Sequence, residues 1–558
     1  MADDERMGDE VPTPDVPTPD VPTSEVPTPD VPAAEAAVEP TAPESAAPET
    51  AAPESAAPER GRSSGAGRRA AVMSLRIVSG VVGLAAAAAV VAGVGLMPLP
   101  TMGVEPLGTV VEPEPADLQT VCPGVLLRLG DETGGDAGSV FPVGTLSLAA
   151  AAEPGQPAAT PLGGGDASAA APPQQPSTHV LPASEGAVLA TAQAQALSGQ
   201  GGLQGLATAA CAEPTSSAWL VGGGTTVGRT SILHLVNPTA VSAEITLELW
   251  GESGQVRAPG MAGITVPAGG RLALPLSGFA PDLASPVVHV EARGGQVAAW
   301  LQTNVTRVLD PGGVDLVGAG SAPSRELVIP AVRIRDALAV AGSLGIEGYE
   351  DLSAIIRIGN PSDEIASVEV SLTPITGGAS PSTFEVSIAG GEVVDTLLEA
   401  AHELGEEVLA DGSYLVSVRS DVPVVAGVRT STIEEPRATD DGRLFAGDVD
   451  IAWFASAVAL RADAALAVAQ ASSPVLMAVS VDGDAHTLVL ESLSGGDDVM
   501  LEVPAVGAAV AQLPSGAAYR IRDADGVAAA VSFAGDGQVA SYPVVAPRAA
   551  DAPLVVRP

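Results

Sequence analysis

The sequence predicts an all-β ectodomain of tandem immunoglobulin-like β-sandwich repeats, which follows one transmembrane helix and a disordered N-terminal tail. Three observations support this fold class. Residues 77–97 contain no charged side chain. From Ser217 onward, alternating runs of Val, Ile, Leu and Thr are interrupted by Gly or Pro about every 8–12 residues, the spacing of a sandwich. The order of these runs also recurs along the chain, as in repeated domains.

Residues 1–76 form the predicted cytoplasmic tail, which is acidic and rich in proline. The pentapeptide Val-Pro-Thr-Pro-Asp occurs at 11–15, 16–20 and 26–30. Proline removes a backbone donor and fixes φ, so these units favour an extended polyproline-like coil over a helix or a sheet. A solvated tail is favoured over a ligand for a cytoplasmic partner, because the units contain no aromatic residue.

Residues 77–97 are the predicted transmembrane helix. A helix of this length spans about 30 Å, the thickness of the hydrocarbon core of a bilayer. Arginines precede it at Arg60, Arg62, Arg68, Arg69 and Arg76. By the positive-inside rule they place the N-terminus in the cytoplasm and the C-terminal body outside. A cleaved signal peptide is the alternative, but the segment before the apolar core is far longer than the usual basic head of a signal peptide.

The composition excludes several function classes. The formal net charge is −42, spread over tail and body, whereas nucleic-acid partners require clustered cations. The chain contains no lysine, so Schiff-base chemistry and a phosphate-loop lysine are excluded. The histidines are scattered and the cysteines lack a CxxC spacing. We therefore predict no nucleic acid, no nucleotide, no cofactor and no metal site.

After a proline-rich stalk at 98–117, the predicted first sandwich covers 118–322. It contains a low-complexity insertion at 130–204, rich in Gly, Ala, Pro and Gln, which we expect to be partly disordered. Cys122 and Cys211 bracket the insertion. In an extracytoplasmic protein such a pair favours a disulfide, which in the chain-entropy model stabilises the fold by about 4–5 kcal/mol.

The predicted second sandwich covers 323–436, and a weaker third repeat covers 437–548, before a tail at 549–558. The first two repeats share an Asn-Pro turn, at Asn237-Pro238 and Asn360-Pro361, while the third lacks it. Proline biases the preceding asparagine away from helix and presets the turn, and the asparagine side chain can bond the turn backbone. These four residues are therefore assigned to architecture.

Two motifs resemble ligand sites without their full pattern. Residues 223–230, Gly-Gly-Thr-Thr-Val-Gly-Arg-Thr, are similar to a phosphate loop with arginine in place of lysine. A strand pattern follows instead of a helix, so a glycine-rich turn is favoured. Acidic pairs such as Asp482-Gly-Asp484 lack the spacing of a calcium loop and favour hairpin turns.

The charge-free segment, the Cys-Pro-Gly at Cys122, the strand at Trp219 and the repeated Asn-Pro together resemble an uncharacterised family of membrane-associated actinobacterial proteins, defined only as a domain of unknown function. The resemblance covers about residues 118–545. Its motifs are structural, so it implies neither an activity nor catalytic residues.

We therefore expect a single-pass membrane protein with an extracytoplasmic body that binds or scaffolds other envelope proteins or glycans without being an enzyme. Two alternatives stay open. One is an extracytoplasmic hydrolase of cell-wall glycan, which would need a cleft with convergent carboxylates. The other is a secreted protein released by cleavage of the anchor.

Overall fold

The computed structural model describes residues 109–111, 116–130, 139–163, 174–184, 186–307, 309–376, 380–398, 409–434, 437–438, 444–445, 447–460, 464–535, 537–545 and 554–556. The predicted cytoplasmic tail, the segment 77–97 and its flanking arginines lie outside these residues. Within the described part of the chain, no helix has the length and apolar character that crossing a bilayer requires. The described residues belong to one compact unit, Val104–Pro558.

The described chain is all-β, as the sequence predicts. Strand β1 (Thr109–Val111) pairs antiparallel with β36 (Leu554–Val556). Between them lie four modules, which we define as residues 118–210, 217–318, 324–455 and 464–543. The described residues contain one α-helix, α1 (Ala337–Ser343), which lies in the third module.

The first module has two small sheets and a hairpin. Its strands are β2 (Leu118–Cys122), β3 (Leu127–Leu129), β4 (Val140–Pro142), β5 (Ser147–Glu153), β6 (Ala158–Pro161), β7 (Ser177–Leu181), β8 (Val188–Ser198) and β9 (Gln204–Ala210). The sheet orders are β2-β7-β6 and β5-β8-β9, and β3 pairs with β4. A disulfide joins Cys122, at the end of β2, to Cys211, directly after β9. The predicted disulfide is therefore confirmed, and it ties the first strand of this module to its last.

Within the insertion at 130–204 that the sequence predicts to be partly disordered, the described residues form β4 to β8. Their sequence is dominated by alanine and glutamine, which have low strand propensity, so composition alone suggested low complexity. Tertiary packing overrides that propensity. Ala149, Ala190, Ala192 and Ala194 are buried in a core that they share with the fourth module.

The second module contains eight main strands and one short extra strand. They are β10 (Ser217–Val221), β11 (Arg229–Val236), β12 (Ala243–Gly251), β13 (Gly254–Val256), β14 (Ala262–Val266), β15 (Arg271–Pro275), β16 (Val287–Gly294), β17 (Ala298–Arg307) and β18 (Asp310–Gly318). One sheet, which we call the front sheet, has the order β10-β16-β12-β14, with β13 also paired to β12. The back sheet has the order β15-β11-β17-β18. Leucine, valine and isoleucine side chains of both sheets form the core between them.

The third module has the same arrangement. Its strands are β19 (Ser324–Ile334), β20 (Ile355–Gly359), β21 (Ala366–Pro374), β22 (Ser382–Ile388), β23 (Val393–Leu397), β24 (Gly412–Ile433), β25 (Arg437–Ala438), β26 (Leu444–Phe445) and β27 (Val449–Ala455). The long strand β24 serves both sheets. Its first half lies in the front sheet β19-β24-β21-β22, and its second half lies in the back sheet β23-β20-β24-β27. Strand β27 was predicted to belong to the next repeat, but it completes this module.

The fourth module repeats the pattern without an Asn-Pro turn. Its strands are β28 (Ala464–Ala467), β29 (Val475–Ser480), β30 (His486–Ser492), β31 (Val499–Val503), β32 (Ala508–Gln512), β33 (Ala518–Arg522), β34 (Val527–Gly535) and β35 (Gln538–Pro543). The sheet orders are β28-β33-β30-β31 and β32-β29-β34-β35. Counted along the main strands of the second, third and fourth modules, the order is first-sixth-third-fourth in front and fifth-second-seventh-eighth behind. An immunoglobulin domain pairs its strands differently, so the immunoglobulin-like part of the prediction is not confirmed.

The modules pack head to tail, and from the second module onward the front sheet of one lies against the back sheet of the next, which in the first module is β5-β8-β9. Val221 and Val287 of the second module share an apolar cluster with Val393 and Val425 of the third. The other three junctions have similar clusters, which include Leu126 with Trp300, Leu415 with Met477, and Leu466 with Ala190. The last of these joins the fourth module to the first, so the head-to-tail contacts close into a ring.

The eighth strands of the four modules lie at the centre of this ring. They are β9, β18, β27 and β35, and each contacts the next, with β35 contacting β9. Asp450 of β27 is 1% exposed and accepts hydrogen bonds from all four strands. Its Oδ2 lies 2.9 Å from the Leu206 nitrogen and 3.0 Å from that of Val539. Its Oδ1 lies 2.9 Å from the Ile451 nitrogen and 3.4 Å from that of Val314.

The four amides occupy equivalent positions. Each belongs to a residue of the eighth strand that is paired with a residue of the seventh strand. The pairs, with the seventh-strand residue first, are Ala196–Leu206, Asn304–Val314, Ser431–Ile451 and Ala534–Val539. The residue before the amide is Gly205 in the first module, Gly313 in the second and Asp450 in the third. A Cβ on Gly205 would lie 1.9 Å from Asp450 Oδ1, so that position must lack a side chain.

A second buried carboxyl, Asp315 of β18, reinforces the centre. It accepts hydrogen bonds from the backbone nitrogens of Leu316 at 2.8 Å and Trp453 at 2.6 Å, which link β18 to β27. Burial raises the pKa of Asp315 to about 8, although the two N–H donors oppose the rise. Burial likewise raises the pKa of Asp450 well above its ordinary value, against its four N–H donors.

Asp450→Ala should destabilise the protein by about 3–5 kcal/mol, because it leaves four buried N–H groups without their acceptor. The matched control is Asp421→Ala, which removes an exposed carboxylate that accepts one backbone N–H, from Ser367. That control should cost about 1 kcal/mol or less. Urea unfolding of the full-length chain measures both, and equal losses would contradict the role assigned to Asp450.

Asp315 should make stability depend on pH. Its folded pKa lies above its unfolded pKa, so its protonated form contributes stability below pH about 4. That contribution is lost as the pH rises toward about 8. We expect the free energy of unfolding to fall across this range more steeply in the wild type than in Asp315→Asn, by urea titrations at several pH values. Identical slopes would show that Asp315 titrates normally.

Candidate functional site

A cleft of about 340 Å³ opens between the second and third modules. The glycine-rich loop after β10, the start of β11, the loop before β16 and strand β17 line the side formed by the second module, and the loop before β20 with strands β20, β23, β24 and β27 lines the other side. The predicted glycine-rich turn at 223–230 is thus one wall of the cleft. Its Arg229 faces the cavity together with Arg357 and Arg429 of the third module.

Arg357 is fixed by the fold. Its Nε and Nη2 donate to the two carboxylate oxygens of Asp395, at 2.7 and 2.8 Å. Its remaining donors reach the carbonyl oxygens of Gly223, Ala284 and Pro286 in the second module. The guanidinium also lies 4.6 Å from the centre of the Trp453 ring. Arg357 therefore joins the two modules and has little capacity left for a ligand.

Asp351 contacts the other three arginines of the cluster, Arg229, Arg307 and Arg429. Arg229 pairs with its Oδ2, and Arg307 Nη2 lies 3.0 Å from its Oδ1. Arg429 Nη2 donates to the carbonyl oxygens of Asp351 and Ser353. Burial alone would raise the pKa of Asp351, but the guanidinium groups of Arg307, Arg229 and Arg429 hold it below its ordinary value. The carboxylate is therefore ionised.

The cluster carries more positive than negative charge. Its four guanidinium groups face three carboxylates, the paired Asp351 and Asp395 and also Glu350 at the cleft wall, so one positive charge is left over, while the chain as a whole has a net charge of −42. Burial lowers the pKa of Arg429 to about 10; the charges of Asp351 and Asp395 oppose this fall, and those of Arg229 and Arg357 add to it. This electrostatic environment favours an additional anion.

The corresponding place in the second module has an uncharged pair of side chains instead of two arginines. When Asn237 is aligned with Asn360, His234 aligns with Arg357, three residues earlier. When the pairing of β11 with β17 is aligned with that of β20 with β24, Gln302 aligns with Arg429. His234 Nε2 lies 3.1 Å from Gln302 Oε1, and Gln302 bonds the backbone N–H and carbonyl of Leu127 in the first module. Burial lowers the pKa of His234 to about 4, so this pair is uncharged near neutrality. A junction of this kind therefore does not require arginines.

A second arrangement lies on the front sheet of the second module. His289 Nε2 is 2.9 Å from Ser217 Oγ, and His289 Nδ1 is 2.8 Å from Glu248 Oε2. The three residues face one another across β10, β16 and β12, beside the stacked rings of Trp219 and Trp250. The order Ser-His-Glu is the hydrogen-bond order of a nucleophile, a base and its orienting carboxylate.

The predicted turn asparagines are buried and structural. Asn237 Nδ2 donates to the carbonyl oxygens of Val241 and Val266, and its Oδ1 accepts from the N–H of Thr239. Asn360 makes the same set with Glu364, Ile388 and Ser362. Each side chain thus joins its turn to the end of the fourth strand. Pro238 and Pro361 follow them in these turns.

No group of three or more potential metal ligands occurs among the described residues. The acidic turn at Asp482 is internally bonded, since this carboxylate accepts from the N–H of Asp484 and lies 2.9 Å from His486 Nε2. Those hydrogen bonds, chiefly the one from Asp484, lower the pKa of Asp482 to about 2.

Sequence patterns did not identify the cleft. Arg229 lies in the glycine-rich turn at 223–230, but Arg307, Arg357 and Arg429 belong to no local motif, and the four are spread over 200 residues. The alignment of the two Asn-Pro turns could have indicated part of the cleft, because it aligns the charged Arg357 with His234.

A family profile described as a family of unknown function (DUF5719) matches residues 165–510. Comparison with curated proteins gives no match. Among solved structures, the crystal structure of Thermotoga maritima 1070 aligns with 24% of this chain and 95% of its own chain. The identity is 18% and the TM-score is 0.17, which is too low to support an argument.

Proposed function

This chain belongs to the family of unknown function DUF5719, and from that premise we propose that it is a non-enzymatic binding or scaffolding component of the cell envelope. One transmembrane helix at 77–97 would hold the body outside the membrane. The resemblance to membrane-associated actinobacterial proteins is part of the same proposal. The family and the all-β fold are compatible with a role that needs no catalysis.

One observation carries the binding role. The cleft between the second and third modules concentrates arginines at a place where the preceding junction uses the neutral pair His234 and Gln302. Because the fold does not require this charge, a ligand is the better explanation for it. The partners that fit are acidic envelope components, either proteins or glycans.

Two features support an extracytoplasmic location. The disulfide between Cys122 and Cys211 suits an oxidising compartment. The arginines before residue 77 suit a cytoplasmic N-terminus.

Protease treatment of cells stripped of their wall tests this topology. With an epitope tag at each end of the chain, we expect the C-terminal tag to be digested and the N-terminal tag to be protected in the membrane fraction. The control is a chain that lacks 77–97, which should be recovered in the soluble fraction. Protection of both tags would contradict the proposal, and recovery of the body in the medium would favour the secreted alternative.

A hydrolase is the second candidate, and the Ser217–His289–Glu248 arrangement is what favours it. A hydrolase also needs donors for an oxyanion. The N–H of Ser217 donates to Thr215 Oγ1, and the following residues of β10 pair with β16. His289 could thus act as a base for Ser217. The backbone N–H of Ser217 already donates to Thr215, so it does not serve as an oxyanion donor.

Hydrolysis of p-nitrophenyl acetate by the full-length protein separates the two candidates. We expect wild type, Ser217→Ala and the exposed neighbouring variant Ser216→Ala to show the same background rate. A rate in the wild type at least a hundredfold above that of Ser217→Ala, with Ser216→Ala unaffected, would establish a serine hydrolase and overturn the non-enzymatic proposal.

A further inference from the structure

We propose that the cleft between the second and third modules binds a small organic carboxylate between Arg229 and Arg429. This inference rests on the proposed binding role and adds the chemical class of the ligand. The two arginines come from different modules, and both line the cavity.

Both arginines retain hydrogen-bond donors. Arg229 pairs with Asp351 through Nη2, and Arg429 uses Nη2 for the two carbonyl oxygens. No described residue accepts a hydrogen bond from Nε or Nη1 of either side chain. In Arg429 the Nε atom is buried without a partner. Unpaired guanidinium donors in a partly buried place are costly unless a ligand completes them.

The accessible and supporting arginines have different roles. The side chains of Arg307 and Arg357 are only 2% exposed, whereas that of Arg229 is 23% exposed. The first two therefore hold Asp351 and Asp395 in place. At the cavity, a ligand can reach Arg229 and the Nη1 group of Arg429, whereas Nε of Arg429 is buried.

A carboxylate fits these groups better than a neutral ligand does. The guanidinium fork bonds carboxylates through two parallel N–H groups, and Arg357 already shows this geometry with Asp395. The charge surplus of the cluster favours an anion. The cavity of about 340 Å³ lies at the lower end of the range for small-molecule sites, so it suits a ligand of about one sugar ring.

Isothermal titration of the full-length protein in detergent tests the proposal, with glucuronate as probe and glucose as its neutral match. We expect saturable binding of glucuronate and none of glucose. Arg229→Gln and Arg429→Gln should each weaken binding about tenfold or more, since each removes charged hydrogen bonds. Gln at 429 reproduces the natural Gln302 of the second module, so this variant should fold.

The matched control is Arg293→Gln, an arginine with a 76% exposed side chain on the second module, which should bind like the wild type. Acetate competing with glucuronate would show that the carboxylate suffices, and failure of acetate to compete would show that the sugar ring is also needed; both support the class. No glucuronate binding, binding unaffected by both arginine substitutions, or arginine-dependent binding of phosphate alone would overturn it. The protease test of topology is independent, so the envelope role can stand if this site fails.

Discussion

The hydrogen bonds of the Asp450 carboxylate determine how the modules are arranged. One carboxylate accepts backbone N–H groups from β9, β18, β27 and β35, which belong to four different modules. A buried carboxylate is strongly disfavoured unless hydrogen-bond donors surround it. If any one module moved away from the centre of the ring, Asp450 would lose a hydrogen bond. The close approach of Gly205 is part of the same constraint, because a side chain there would displace Asp450.

The junctions of the ring show what the fold requires and what it leaves free. All four join neighbouring modules through apolar clusters, but the other side chains at each contact differ. The first junction uses the neutral pair His234 and Gln302, and the third uses apolar side chains that include Leu415 and Met477. At the fourth, Arg520 reaches the side chain of Glu153 and the carbonyl of Gly186. The chemistry therefore differs from junction to junction, and among the described residues the cluster of four arginines belongs to the second.

The sequence predicted the parts of this fold that leave a local pattern. Alternating apolar residues and the Asn-Pro turns identified the strands of the second and third modules, and the expected extracytoplasmic location identified Cys122 and Cys211 as a disulfide. The first module was missed because β5 and β8 are alanine-rich strands, which are stable only through packing against the fourth module. Asp450 and the cleft arginines were missed for a related reason. Their partners lie far away in sequence, and only the closed ring brings them together.

Amide hydrogen exchange on the wild type and Asp450→Asn tests the central claim most directly. If Asp450 holds four modules together, the amides of Leu206, Val314 and Val539 should be among the slowest to exchange in the wild type. All three should exchange faster in the variant, while amides of the front sheets keep their rates. Faster exchange confined to the third module would contradict the claim, because Asp450 would then stabilise only its own module.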